Sequence, residues 1–163
     1  MDALQFWELL SYIVTALGLP LAIFIFLWEQ RKERENEESE VNELLAASYT
    51  DFLKVVIANP DLKLRSRRPT PGLDEEQLDR LQAIFEILVS LFERAYLLLY
   101  SEKMSRRQLR LWLSWEDFMR EWCRREDFRE RLPQLLPGED AEFAAHLQLL
   151  AEEERRAAAM SHF

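Results

Sequence analysis

Twenty consecutive residues, Leu9 to Trp28 (LLSYIVTALGLPLAIFIFLW), carry no formal charge, in a chain whose overall composition is 31% charged. As an α-helix this run measures about 30 Å, the thickness of a bilayer's hydrocarbon core. A helix buried in a soluble protein rarely lacks a polar stripe. Trp7 and Trp28 sit at its two ends, roughly 31 Å apart in a helix, at the spacing of two interfacial aromatic belts. Residues 1–29 are therefore expected to form a single transmembrane anchor. The start carries Asp2 and Glu8 instead of a basic region, so a cleaved signal peptide is not expected. Gly18 and Pro20 fall in mid-span. Proline removes a backbone hydrogen bond and predicts a kink, either tolerated as such or placed where the helix lines a pore or packs against copies of itself.

Orientation follows from Lys and Arg near the span. None precedes it, and Arg31, Lys32 and Arg34 follow directly. The positive-inside rule places the N-terminus outside and the remainder in the cytoplasm, in the inner (plasma) membrane. A lone cysteine, Cys123, fits a reducing compartment.

The run from Glu29 to Glu43 holds seven glutamates and three basic residues, and residues 30–43 read as a charged helical stalk with Arg31–Glu35 and Arg34–Glu38 at i,i+4 spacing. Residues 44–163 read as an antiparallel bundle of about four helices, so the fold class is all-α. An apolar stripe (Val41, Leu45, Phe52, Val56) stops at Asn59-Pro60. Capping boxes at Asp74/Gln77 and Ser105/Gln108 open the next two helices. A short helix follows from Asp127, and Pro137-Gly138 separates it from a last helix after Asp140. The segment 83–100 is nearly apolar enough for a second span, but Glu86, Glu93 and Arg94 interrupt it, at about 2.5–3.5 kcal/mol each at a bilayer centre. It is read as the central helix of the bundle, with Glu86, Ser90 and Glu93 on its exposed stripe.

Composition removes several classes of function. With 21 basic against 30 acidic residues the net charge is −9, which does not suit a general nucleic-acid binder. Three glycines cannot build a phosphate-binding loop, and two histidines with one cysteine are too few for a zinc site. No cofactor, metal or catalytic residue is expected. Arg124 and Arg125 beside Cys123 would lower a thiol pKa, but nucleophilic use of it needs His146 or His162 docked alongside.

Two stretches free of acidic residues stand out: Lys63, Arg65, Arg67 and Arg68 in a loop, and Lys103, Arg106, Arg107 and Arg110 at the start of the third main helix. They are expected to be solvated, to touch anionic lipid headgroups, worth about 1 kcal/mol per charge near a surface, or, as a second functional possibility, to contact RNA. Phe85, Phe92 and Tyr96, with Trp112, Trp115 and Trp122 spaced as one seam, are core residues or the docking face for another subunit, since aromatics serve both.

Arg156 to His162 has the R-x(4–6)-H form of the motif in HEPN ribonucleases, which are also small helical bundles. The resemblance implies that the arginine steadies a scissile phosphate while the histidine moves a proton from the 2′-hydroxyl. The layout of an N-terminal membrane helix feeding a helical bundle also resembles the accessory membrane proteins of type VI-B CRISPR systems, which implies assembly into membrane pores. The leading expectation is a non-enzymatic, single-pass membrane protein whose bundle mediates assembly, as a homo-oligomer or as a subunit of a larger membrane complex. The alternatives are a homo-oligomeric pore of this defence-effector kind and a membrane-tethered ribonuclease.

Overall fold

The computed structural model describes residues 3–160, without the side chains of most residues up to Leu17 or of Arg31 and 34–38. All its elements are helical: α1 (Ala3–Ala58), a single 3₁₀ turn (Pro60–Leu62), α2 (Glu75–Leu99), α3 (Arg106–Cys123), α4 (Glu126–Leu135) and α5 (Ala141–Met160), with no strand among the described residues. By packing the chain divides into two units, Met1–Val41 and Asn42–Phe163.

In the first unit α1 continues through Pro20 without interruption. The side chains of Trp7, Arg31 and Arg34, and with them the stalk pairs Arg31–Glu35 and Arg34–Glu38, lie outside those described, whereas Gly18, Pro20, Trp28 and Lys32 are described and exposed. Among the described residues no helix is long and apolar enough to cross a membrane. Within the uncharged run the described side chains are essentially those of Gly18–Trp28, about 16 Å of helix, half a hydrocarbon core.

The second unit is built where the capping chemistry directs. Asp74 accepts from the Gln77 backbone N–H (2.8 Å) while the Gln77 side chain accepts from Asp74 N–H (3.0 Å), starting α2. Ser105 and Gln108 do the same for α3. A cap of this kind satisfies donors that the first helical turn cannot. α5 is started from a distance as well: Asp140 caps the N–H groups of Glu142 and Phe143, and its own N–H is donated to Glu93 of α2. Glu93 is thus half-buried against α5 instead of lying on a solvated stripe with Glu86 and Ser90.

The core is aromatic. Phe85, Phe92, Phe128 and Phe143 have no exposed surface, and Trp112, Trp115 and Trp122 keep 2–3% of theirs. The α3 seam meets α1 through Tyr49, whose ring stacks on Phe118 and meets Trp115 edge-on, and whose hydroxyl accepts from Trp122 Nε1 at 3.3 Å. Tyr96 of α2 packs edge-on against Trp112. Charged stitches close the α3–α5 seam: Arg120 reaches Glu116 at 2.9 Å and Glu153 at 2.7 Å, and Arg124 reaches Glu154 at 3.1 Å.

Candidate functional site

The first of the expected docking surfaces is occupied from within. Phe85, Phe92, Tyr96, Trp112, Trp115 and Trp122 are all 7% exposed or less, because the chain's own helices cover the seam from both sides. They hold the bundle together and offer no ring to a second subunit in this arrangement.

Cys123 and the histidines stand apart as chemistry. The thiol is fully buried, and burial pushes its pKa up to about 12, with Glu154 adding to the rise. The depression expected from Arg124 and Arg125 does not prevail: burial outweighs the cations Arg129 and Arg120 that pull the thiol down, while Arg124 pairs with Glu121 and Glu154 and Arg125 with Asp127. A thiolate is the reactive form, so this cysteine is inert. His146 sits among Tyr96, Tyr100 and Trp112, with ring centroids 5.4–6.2 Å away. Burial lowers its pKa against the pull of Glu116, whose carboxylate lies 3.6 Å from Nε2. Arg156 is exposed and bound to Glu152 at 3.0 Å, and His162 lies outside the described residues.

The arrangement with the most developed geometry lies around the loop between α1 and α2. Leu62 and Leu64 are buried while Lys63, Arg65, Ser66, Arg67 and Arg68 remain exposed, so the two leucines tether a strip of cations. Lys63 adopts a left-handed backbone (φ 46°), a conformation that costs a non-glycine residue about 1 kcal/mol or more. Its carbonyl is what the rest of the site uses. Arg125, 2% exposed between α3 and α4, donates from Nη1 to Lys63 O (2.8 Å) and Ser66 O (3.1 Å). Its other edge forms a two-pronged pair with Asp127, Nε–Oδ1 2.6 Å and Nη2–Oδ2 2.8 Å. Glu126 N–H is donated to Arg67 O at 3.2 Å. At the other end of the loop, Arg80 and Gln77 bind Asp61 at 2.8 and 2.9 Å, and the Gln77 amide, with Arg80, holds the Asp61 carboxyl below its ordinary value.

The loop is thereby laid against the α3–α4 turn. Arg67 and Arg68 come to share a groove of about 680 Å³ with Arg124 and Arg129, with Glu126 and Glu154 also on its wall and Ala157 and Ala158 leaving room at its base. Arg129 is steadied by donating Nη1 to Cys123 O at 2.6 Å. Of the expected anion contacts, Arg67 and Arg68 join this groove. Arg65 lines a much smaller cleft beside it with Trp122 and Arg125, and Arg106, Arg107 and Arg110 lie exposed on the first turns of α3. Arg124, Arg125 and Arg129 were not singled out as site residues from sequence. The available signal was the Arg125–Asp127 spacing at a helix junction flanked by Trp122 and Phe128.

Comparison with protein-family models, curated proteins and solved structures gives no match for this chain.

Proposed function

We propose that this chain is a single-pass membrane protein, N-terminus outside, whose helical bundle lies in the cytoplasm and serves assembly without catalysis. One observation carries the reading. Eight large apolar side chains between Leu19 and Trp28 are 46–68% exposed. At 100° per residue, the unbroken series Ile23–Trp28 covers every side of α1. Soluble helices hide at least one apolar face, and an apolar surface this continuous calls for a lipid or protein environment. The uncharged run extends the same character back to Leu9, and Arg31, Lys32 and Arg34 follow it.

Gly18 fits a surface role for the mid-span, since among the described residues a Cβ there would meet nothing within 4 Å. The non-catalytic part of the reading rests on the inert Cys123 and on Arg156 being engaged by Glu152.

The test is the protein mass of the full chain in neutral detergent, by light scattering with detergent correction. A defined oligomer supports assembly of the chain with itself. A ring of about six to ten protomers, a size expected of a helix-lined pore, would bring the pore reading forward, and Pro20→Leu would then change planar-bilayer conductance. A strict monomer sinks self-assembly.

A further inference from the structure

We propose that the groove formed by Arg67, Arg68, Arg124 and Arg129 is a binding site for a phosphate group, carried by a small soluble molecule or by a lipid headgroup. The inference rests on the bundle alone and stands whether or not α1 enters a membrane.

Charge points to the ligand. The chain as a whole is at −9, yet four guanidinium groups and two carboxylates line this one concavity. The cations are not neutralised in place. Among the described residues neither Arg67 nor Arg68 pairs with a carboxylate, and Arg129 is held by a backbone carbonyl. Arg124 is shared with Glu121 and Glu154, leaving the groove wall with a surplus of positive charge. Guanidinium is the side chain best matched to phosphate, because its fork donates two parallel hydrogen bonds to adjacent oxygens.

Preorganisation points the same way. Arginines on a free loop would lose entropy on closing around an anion. Here the loop is fixed beforehand by a 2%-exposed arginine that reads two of its carbonyls, one from a residue with a left-handed backbone. Arg125 is thus a positioning residue, and Arg67 and Arg68 are the groups left to meet a ligand. A groove of about 680 Å³ is in the usual range for small-molecule sites.

The test is calorimetric titration of the full chain in neutral detergent with inorganic pyrophosphate and, separately, with dihexanoyl phosphatidic acid. Dihexanoyl phosphatidylcholine serves as the control for headgroup charge. One-to-one binding of either phosphate probe is expected. Arg67→Gln/Arg68→Gln weakens it at least about tenfold, the loss of one charge-assisted contact or more. Arg106→Gln/Arg110→Gln removes equal charge elsewhere and changes it less than twofold. Pyrophosphate alone binding identifies a soluble phosphate; phosphatidic acid alone binding identifies a headgroup. Binding of neither, binding only of a single-stranded RNA oligonucleotide, or equal weakening by the two double variants overturns the proposal. Both double variants alter exposed side chains, and an unchanged thermal transition verifies that each remains folded.

Discussion

Replacing Arg125 by Met tests whether the buried ion pair organises the bundle. The substitution keeps an unbranched side chain of similar length and removes the charge. It leaves the Asp127 carboxylate, 8% exposed, without its cation, and strips Lys63 O and Ser66 O of their donor. Breaking a buried pair by removing one partner costs about 3–5 kcal/mol, because the survivor is an uncompensated charge. For a unit of about 120 residues, an unfolding entropy of about 2.1 cal/mol/K per residue converts this into a fall of about 12–20 °C in Tm. Near-UV circular dichroism of the full chain reads it, since Trp112, Trp115 and Trp122 are packed in the core. Arg125→Met/Asp127→Leu removes both charges and should recover at least about half of the loss. The reasoning fails if Arg125→Met costs less than about 1 kcal/mol, or if the double variant is no more stable than the single one.

Three further outcomes follow from the same structure. Glu139 is raised to about 7 by burial first, then by its hydrogen bond to Glu93 and the charge of that residue. Its folded value exceeds the ordinary 4.5, so its contribution is complete below about pH 4.5 and is lost as pH rises through 7. His146, lowered by burial, acts in the opposite sense, so the difference between the chain and Glu139→Gln isolates the carboxyl: Tm measured from pH 5 to 8 should lose part of its downward slope in the variant. Cys123 should resist maleimide in the native chain at pH 8 and react within minutes once the bundle is unfolded. Trp112→Ala, which empties a site between Tyr96, Tyr100 and His146, should cost about 3–5 kcal/mol in chemical denaturation.

Helix limits were legible in the sequence because local chemistry sets them. Asp74 with Gln77 and Ser105 with Gln108 each complete a capping box within four residues, and Pro60 follows directly on the end of α1 at Ala58 and Asn59. The tryptophan seam was legible as one face of a single helix for the same reason, whereas its place in the core comes from the packing of the other helices against it. The groove was not. Arg124, Arg125 and Arg129 fall in a run of mixed charge that reads as a solvated surface; Arg125 is singled out by contact with residues about 60 positions earlier, and Arg124 and Arg129 by the groove they share with Arg67 and Arg68. Glu93 was placed on an exposed stripe for the same reason, as its role is to receive Asp140 N–H from 47 positions away. Pairings of that range depend on how the helices stack, which periodicity does not encode.

The central claim is that α1 holds the chain in a membrane, and alkaline carbonate extraction of membranes from cells making the full chain tests it directly. Each charge placed at mid-span costs about 2.5–3.5 kcal/mol of insertion, so Ile23→Lys/Phe26→Glu serves as the matched control. The account predicts that the chain stays in the carbonate-washed pellet and that the double variant moves to the supernatant. Release of the unaltered chain by carbonate would contradict it.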